Sequence, residues 1–303
     1  MLKITILGNN SAIPAHGRNP SAQIVEIKDH LLLLDCGEGT QMQLMKYGIK
    51  RSKIQHIFIS HLHGDHYFGL IGLINSLGLL GRTDPLHIHC PEKLPKIIKL
   101  QLDACGSIMP FDLIFQTIKD EGENRLIVEN GLYSVSCFPV DHRIPTHGFV
   151  ITEKSSGRKI VPEACREYNI PQAFYNKLKL GEDYTRKDGL LVKNEWVTEV
   201  GKADKVYAYC ADTKYTLSFL QVIKNADAIY HESTYLDAES DLANMRYHTT
   251  ARQAAMLAEE AEVKMLLLGH YSSRYKNIEE FEVEAKAIFT NTRATYEGLS
   301  VEL

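Results

Sequence analysis

The sequence lacks long hydrophobic runs. No run of about 18 apolar residues, the length that a transmembrane helix needs, occurs in the 303 residues. The opening stretch, MLKITILGNN, reaches a glycine and two asparagines within ten residues and does not resemble a secretory leader. We therefore expect a cytoplasmic protein with no membrane association.

Cysteines are few and isolated, and the charge is close to balanced. Six cysteines occur singly, without CxxC spacing: Cys36, Cys90, Cys105, Cys137, Cys165 and Cys210. This pattern predicts reduced, mostly buried thiols rather than a disulfide framework or a cysteine-type zinc site. Any metal must then be bound by histidine and carboxylate. The net charge of -4 argues against a non-specific nucleic-acid coat but leaves room for a local basic patch.

Apolar runs that end on a polar residue of metal-ligand type recur along the chain. Runs of roughly four to eight apolar residues, bounded by glycine, proline or aspartate, are typical of strands buried in a sheet. Several of these runs end on Asp35, His61, His142, Asp212 and His270. Because catalytic groups gather where strands end and loops begin, these residues are candidates for a functional site.

Helical periodicity lies between the strand-like runs, and it predicts helices at 67–80 and 249–262. One face of the first helix carries Phe68, Ile71, Ile74 and Leu77. Residues 1–150 and residues 202–303 each combine strands with helices. The sequence therefore predicts an α/β fold in which two similar β/α layers face each other, with the candidate ligands along their shared edge.

The stretch SHLHGDH, residues 60–66, concentrates three histidines and an aspartate in six positions. With 13 histidines in 303 residues, chance gives such a pattern odds on the order of one in a thousand. A histidine-rich surface loop is the alternative interpretation. His61 and His63 form one pair of ligands, Asp65 and His66 form a second, and this ligand set suits zinc or manganese. One loop cannot complete two sites, so other strand ends must contribute.

The remaining ligand candidates are His142, Asp212 and His270. Seven residues can serve two ions if one carboxylate bridges them, and Asp212 is our choice because a carboxylate has two oxygens to share. Taken singly, His142 or His270 is explained equally well as a structural histidine whose ring is hydrogen-bonded in the core.

Residues 152–200 differ in character from both flanks. They show no sustained period and carry nine Lys and Arg against eight Asp and Glu, so we interpret them as an insertion. Phe174 and Tyr175 are interleaved with Lys177 and Lys179, a combination that stacks on bases and neutralises phosphates. An ordinary solvated loop or hairpin would have a similar composition.

The motifs together resemble those of the ribonuclease Z family within the metallo-β-lactamase superfamily. SHLHGDH is the superfamily signature, and LLLDCGEGTQMQL at 32–44 is similar to the segment that precedes it in ribonuclease Z. IPAHGRN at 13–19 resembles the PxKxRN loop of that family, HEST at 231–234 its HEAT motif and HTT at 248–250 its HST motif. The resemblance covers nearly the whole chain.

The resemblance implies a fold, a reaction and a ligand set. The fold is an αββα sandwich, one domain over 1–303 with a tRNA-gripping arm inserted at 152–200, in the second half. The reaction is hydrolytic removal of the 3′ trailer of precursor tRNA, which leaves a 3′-hydroxyl on the tRNA, and the protein is a homodimer. Each subunit would bind two zinc ions, one through His61, His63, His142 and Asp212, the other through Asp65, His66, Asp212 and His270.

Further roles follow from the same resemblance. Two ions about 3.5 to 4 Å apart can share a hydroxide that attacks phosphorus, and Asp65 would orient and deprotonate it. His248 would donate the proton to the leaving 3′-oxygen, while Glu232 orients His248 and raises its pKa. Asp35 would accept the free N–H of a ligand histidine. The implied RNA-binding residues are Arg18, Asn19, Phe174, Tyr175, Lys177 and Lys179.

Three features depart from the family pattern. His16 occupies the basic position of the PxKxRN loop, Ser233 replaces the alanine of HEAT, and the arm reads IPQAFYNKLKLGE where many relatives have Gly-Pro. None is a metal ligand, so these departures concern how RNA is held.

Two alternative functions remain. A metallo-β-lactamase-fold hydrolase of small phosphodiesters or other esters would have no use for an arm. A non-catalytic RNA-binding or scaffold protein would be expected to have lost ligands, whereas all seven are present.

Overall fold

Two seven-stranded β-sheets form the centre of the computed structural model, which describes residues 1–119, 122–155 and 157–303. The first sheet contains, in spatial order, β18 (Ser300–Glu302), β1 (Leu2–Gly8), β2 (Ala22–Ile27), β3 (His30–Leu34), β4 (Ile54–Phe58), β5 (Leu86–Pro91) and β6 (Leu113–Ile118). The second sheet contains β17 (Thr292–Ala294), β16 (Leu266–Gly269), β15 (Ala228–Glu232), β14 (Lys205–Tyr209), β9 (His147–Glu153), β8 (Tyr133–Pro139) and β7 (Arg125–Glu129).

Alternation of side chains along the strands explains why the sheets stack. In β3, Leu32 and Leu34 lie in the core between the two sheets. Leu31 and Leu33 lie on the opposite face, in a second core beneath helices. Because successive side chains of a strand face opposite sides, a run of leucines is stable only where both faces are covered. The second sheet repeats this arrangement in β14, β15 and β16.

Helices cover the outer face of each sheet and complete the αββα sandwich. Over the first sheet lie α1 (Thr40–Lys46), α3 (Leu70–Leu79) and α4 (Leu94–Ala104). Over the second lie α8 (Leu220–Ile223), α10 (Ala251–Glu260) and α11 (Glu279–Lys286). The shorter α2 (Gly64–Tyr67) and α9 (Ser240–Met245) lie in connections, as do 3₁₀ turns at Arg51–Lys53 and Asp237–Glu239. Within the described ranges, no helix has both the length and the apolar character that crossing a bilayer requires.

The helix predicted at 67–80 is wrong at its beginning. Two helices occupy this region, because the N–H of Gly69 donates to the carbonyl of Cys36 at 2.9 Å and so leaves the helical hydrogen-bond pattern. Phe68, expected on the buried face, is 62% exposed. The residues that α3 buries are Leu70, Leu73, Ile74 and Leu77. In the helix predicted at 249–262, Thr250 caps α10 through a reciprocal hydrogen-bond pair with Gln253.

The division into two layers also differs from the sequence prediction. β7, β8 and β9 lie before residue 154, yet they belong to the second sheet, because β9 pairs antiparallel with β14. The C-terminal strand β18 joins the first sheet by pairing antiparallel with β1. The first sheet therefore includes a strand from the C-terminal part of the chain, and the second sheet includes three strands from the N-terminal half.

The arm predicted at 152–200 begins after Glu153, the last residue of β9, and ends before Lys205, the first residue of β14. We keep the name arm for this segment, 154–204, which folds around its own small core. Glu153 at the end of β9 pairs with Lys205 at the start of β14, so the chain leaves and re-enters the sheet at adjacent points. The core of the arm consists of Cys165, Ile170, Leu178, Val192 and Val197. Its elements are β10 (Lys159–Ile160), α5 (Pro162–Glu167), a 3₁₀ turn (Gln172–Phe174), α6 (Tyr175–Lys179), β11 (Tyr184–Thr185), β12 (Leu191–Val192), α7 (Asn194–Val197) and β13 (Thr198–Glu199).

Candidate metal centre and active site

The ends of four strands bring the candidate ligands to one edge of the sandwich. The loop after β4 carries His61, His63, Asp65 and His66. β3 runs parallel to β4, so Asp35 reaches the same edge. His142 follows β8, Asp212 follows β14 and His270 follows β16. Asp35 and His270 adopt left-handed backbone, with φ of 54° and 60°, which turns the chain sharply at the end of each strand.

The first ligand group contains three histidines and Asp212. Nε2 of His61 lies 3.0 Å from Nδ1 of His63, which lies 3.2 Å from Nε2 of His142. Oδ2 of Asp212 lies 3.8 Å from Nε2 of His61. Ligands at roughly 2.0–2.1 Å from a tetrahedral zinc ion are about 3.3 Å apart, so these separations fit a single ion.

The second ligand group contains Asp65, His66 and His270, and it adjoins Asp212. Nε2 of His270 lies 3.4 Å from Oδ2 of Asp65 and 3.2 Å from Oδ2 of Asp212. Nε2 of His66 lies 3.7 Å from Oδ2 of Asp65 and 3.4 Å from Oδ1 of Asp212. Asp212 therefore lies between the two groups. Its Oδ2 is near His61 of the first group and His270 of the second, and its Oδ1 is near His66 of the second.

The ring of His66 tests whether a metal suits this arrangement. The ring is fully buried, and its Nε2 has no hydrogen-bond partner among the residues that the structure describes. Burial disfavours a charged imidazole, but Asp212, Asp35 and Asp65 outweigh it and raise the pKa of His66 well above its ordinary value. The surroundings thus demand positive charge at this nitrogen, and a metal ion supplies it while the ring stays neutral. The residues present therefore fit a bound metal.

Asp35 orients two ligand rings from behind. Its Oδ2 accepts hydrogen bonds from Nδ1 of His66 at 2.7 Å, the Ser60 hydroxyl at 2.9 Å and the Tyr209 hydroxyl at 2.7 Å. The Ser60 hydroxyl in turn accepts from Nδ1 of His61 at 3.0 Å. Because each Nδ1 proton is held in this way, each Nε2 faces the ligand groups.

Glu232 performs a similar task from the second sheet. Its Oε1 accepts from Nδ1 of His248 at 2.7 Å, and its Oε2 accepts from the Thr234 hydroxyl at 2.7 Å. The Thr234 hydroxyl accepts in turn from Nδ1 of His270 at 2.9 Å. Three backbone N–H groups also donate to this carboxylate. One buried carboxylate thus orients both a candidate ligand and His248.

The ring of His248 lies beside the ligand groups. Its centre is 5.3 Å from that of His142 and 5.4 Å from that of His270. Burial lowers the pKa of His248, but the Glu232 carboxylate outweighs burial, so the pKa is raised above its ordinary value. His248 also falls within a possible ligand group with Asp212 and His270. Because Nδ1 of His248 donates to Glu232, its Nε2 is the atom left for a substrate or an ion, and the proton-donor role of His248 stays a prediction.

The loop at 13–19 uses its polar side chains within the chain. Arg18 donates to the carbonyl oxygens of Tyr275 at 2.6 Å and Lys276 at 3.1 Å. Asn19 donates from Nδ2 to the carboxylate of Glu297 at 3.0 Å. These contacts order the loop, and RNA binding by Arg18 and Asn19 stays a prediction.

The arm separates its aromatic residues from its lysines. Phe174 and Tyr175 are half-buried against the core of the arm, whereas Lys177 and Lys179 are exposed. Lys177 lies with Nζ 5.4 Å from the centre of the Phe174 ring and 3.5 Å from the carboxylate of Glu182. The rings therefore hold the arm together, and the two lysines are the part of this cluster that faces solvent.

Three residues that the sequence did not indicate donate hydroxyl hydrogen bonds to the orienting carboxylates: Ser60 and Tyr209 to Asp35, and Thr234 to Glu232. Ser60 and Thr234 stand inside SHLHGDH and HEST, so their position within a motif was the available signal. Tyr209 belongs to the alternating run VYAYC, where a tyrosine looks like an ordinary core residue. No pattern in the sequence distinguishes its hydroxyl.

Comparison with known proteins reveals similarity along the entire chain. A protein from Porphyromonas gingivalis named ribonuclease Z is 39% identical over 300 residues, which cover 99% of this chain and 98% of that protein. The crystal structure of the short form of human tRNase Z superimposes with a TM-score of 0.72 and 24% identity, over 99% of this chain and 98% of that one. The metallo-beta-lactamase fold protein YhfI from Bacillus subtilis superimposes with a TM-score of 0.69 and 18% identity over 100% of both chains. The model of a family described as anti-Pycsar protein Apyc1 matches residues 2–108.

Proposed function

This chain belongs to the ribonuclease Z family, and from that premise we infer that it is a tRNA 3′-processing endoribonuclease that works through a two-metal centre. The observation that carries the inference is the similarity, over 99% of this chain, to a protein named ribonuclease Z. The gathering of seven histidine and aspartate ligands at one edge of a metallo-β-lactamase fold supports the metal-dependent part of the proposal.

We assign two zinc ions to each subunit. One would be bound by the first ligand group, the other by the second, and Asp212 would be shared between them. When bound, such ions would activate a water molecule and polarise an oxygen of the phosphodiester. The donor set supports zinc because neutral imidazole and carboxylate are its common ligands in hydrolytic sites.

Asp65 is proposed to orient the attacking water and to accept its proton. Its Oδ2 accepts a hydrogen bond from the N–H of Ala12 at 2.6 Å, which fixes the carboxylate at the edge of the site. Burial raises the pKa of Asp65, but His66 and His270 outweigh burial and lower it below its usual range. The group is therefore a carboxylate at neutral pH and is available to accept a hydrogen bond from water.

His248 is proposed to donate a proton to the leaving 3′-oxygen of the tRNA. The raised pKa favours the protonated imidazole, and the hydrogen bond to Glu232 through Nδ1 leaves the Nε2 proton for the substrate. The tRNA then departs with a 3′-hydroxyl, and the trailer keeps the phosphate.

The arm is proposed to hold the tRNA at a distance from the metals. Lys177 and Lys179 are exposed cations on a folded projection, which suits contacts to phosphates. We also propose that the protein is a homodimer in which the arm of one subunit grips the tRNA cut by the other. The cytoplasm remains the expected compartment, since all six cysteines are free thiols.

The test is to incubate the purified protein with a trailer-bearing precursor tRNA and to map the new 3′ end. We expect a single cut at the trailer junction and about two zinc ions per chain by elemental analysis. Hydrolysis of a small chromogenic phosphodiester without cleavage of any precursor would favour the small-molecule alternative instead. Full activity with one metal or none would contradict the two-metal assignment.

A further inference from the structure

A cavity of about 720 Å³ opens beside the first ligand group. The residues that matter for its chemistry are Leu62, Glu92, Lys93, Ile118, Lys119 and Ile144. None of them is a metal ligand, and the proposed proton transfers use none of them.

Two residues of the cavity wall are close neighbours of metal-ligand candidates in the chain. Leu62 lies between the ligands His61 and His63 in the chain, and Ile144 follows the ligand His142 by two residues. A strand of RNA whose phosphate lies over the ligand groups therefore reaches the cavity with its next nucleotides.

The lining of the cavity suits single-stranded RNA. Leu62, Ile118 and Ile144 make the lining partly apolar, and Leu62 and Ile144 are the half-buried ones that a ligand can contact. Lys93 and Lys119 are exposed beside them, and among the residues that the structure describes, Glu92 is the acidic one in the wall. Apolar surface against bases, with lysines against phosphates, is how proteins bind single strands without reading their sequence.

The 5′-to-3′ direction of the RNA strand determines which part of the substrate enters the cavity. His248, the proposed donor to the 3′-oxygen, lies between α9 and α10 and bonds to Glu232 at the end of β15 in the second sheet, so the tRNA body would lie on that side of the phosphate. Most of the wall comes from the loop after β4 and the ends of β5 and β6 in the first sheet, and Ile144 is contributed by the connection between β8 and β9. The RNA beyond the cut continues from the phosphate away from the 3′-oxygen.

We propose that this cavity binds the first nucleotides of the 3′ trailer and selects for unpaired RNA at that position. The inference rests on the proposed function, and it adds a binding site for the 3′ trailer, the part of the substrate that is cut off. A trailer long enough to reach the cavity would then gain affinity that a trailer of one nucleotide lacks.

The test compares two precursors that share one tRNA body and carry trailers of one or about ten nucleotides. The measured quantity is the ratio of kcat/KM for the long trailer to that for the short one. We expect Lys93→Glu and Ile144→Asp each to lower this ratio by about fivefold or more, because a phosphate contact or an apolar contact to the trailer is lost. Lys93→Arg should retain the ratio of the wild type.

Lys96→Glu is the matched control, because it makes the same charge change on the exposed side of α4, and Lys96 does not line the cavity. It should leave the ratio unchanged. An unchanged ratio in both cavity variants, or an equal loss with both trailers, would overturn the trailer site. Failure of the wild-type protein to cut either precursor would instead remove the proposed function. Since Lys93 is exposed, its variant keeps the test valid if Ile144→Asp does not fold.

Discussion

Nδ1 of His248 contacts the Glu232 carboxylate at 2.7 Å and the Thr234 hydroxyl at 3.3 Å, and His248 is outside the two proposed ligand groups, so its chemistry can be separated from metal binding. Replacement of His248 by alanine removes the proposed proton donor and no member of the two ligand groups. We expect cleavage of precursor tRNA to slow by about 100-fold or more. Both metals and tRNA affinity should be retained, as measured by elemental analysis and by filter binding of an uncleaved tRNA. Cleavage at the wild-type rate would show that the leaving oxygen takes its proton elsewhere.

The pKa of His248 should appear in the pH dependence of the reaction. A proton donor must be protonated to act, so the rate falls as pH rises through its pKa. Glu232 raises that pKa, and the substitution Glu232→Gln removes the carboxylate charge. We expect the alkaline fall of the rate to move to lower pH in Glu232→Gln, in single-turnover measurements across pH 6 to 10. A pH profile that keeps its alkaline limb in place would assign that limb to another group.

At the residue scale, the sequence indicated candidate ligands but not the hydrogen bonds that connect them to neighbouring groups. SHLHGDH and the polar residues at strand ends suffice to nominate seven ligands, since histidine and aspartate in such spacing have few other uses. The hydroxyls of Ser60, Tyr209 and Thr234 could not be nominated in this way. Serine, threonine and tyrosine are common everywhere, and only the folded positions of Asp35 and Glu232 give these three a role.

Among the elements, the arm offers the clearest separation of binding from chemistry. It begins and ends at paired residues of β9 and β14, so its removal leaves the ends of both strands in register. Replacement of residues 155–198 by a short Gly/Ser linker should abolish productive binding of precursor tRNA. Hydrolysis of a small chromogenic phosphodiester should be nearly unaffected. If both activities fall while the metals remain bound, the arm is part of the catalytic core.

A charge-reversal variant tests tRNA binding by the arm without deleting the arm. Lys177→Glu combined with Lys179→Glu leaves the core residues of the arm in place. Each lost phosphate contact should reduce the slope of log affinity against log salt by about one unit. The matched control is Lys96→Glu, which removes a cation from α4 in the sandwich and should leave the slope unchanged.

The elements also show where sequence periodicity stops being informative. Strands such as β3 were predictable because consecutive leucines have to be buried on both faces. The assignment of β9 to the second sheet could not be predicted. Its partner β14 lies beyond the arm, and pairing between distant segments leaves no local pattern in the sequence. The secondary structure of the arm could not be predicted either. Its helices and strands have two to six residues, too few to display a period.

On the scale of the whole molecule, a group of neutral histidines lies away from the metal site in the first sheet. Nδ1 of His56 on β4 lies 3.0 Å from Nε2 of His89 on β5. The ring of His89 stacks on Phe58 in the core between the sheets, with centres 4.5 Å apart. Burial lowers the pKa of His56 to about 4 and that of His89 to about 3.

This pair should weaken the sandwich in acid. Below about pH 6.5 the unfolded chain binds protons at these histidines and the folded chain does not, so stability falls from there down to about pH 4 for His56 and about pH 3 for His89. The double substitution His56→Asn with His89→Gln keeps hydrogen-bonding groups at both nitrogens and cannot titrate in this range. We expect its melting temperature to fall less than that of the wild type between pH 7 and pH 5. An equal fall would assign the acid sensitivity to other groups, such as the metal ligands.

The pairing of β18 with β1 has a consequence for how the protein is made. While a ribosome synthesises the chain, β1 is among the first strands to emerge, but residues 300–302 are the last strand to do so. Throughout that interval one edge of the first sheet exposes unpaired backbone N–H and C=O groups, which can pair with a neighbouring nascent chain. We therefore expect messages truncated before codon 300 to yield aggregates, and chaperones that bind nascent chains to matter more for this protein than for one whose edge strands are local neighbours.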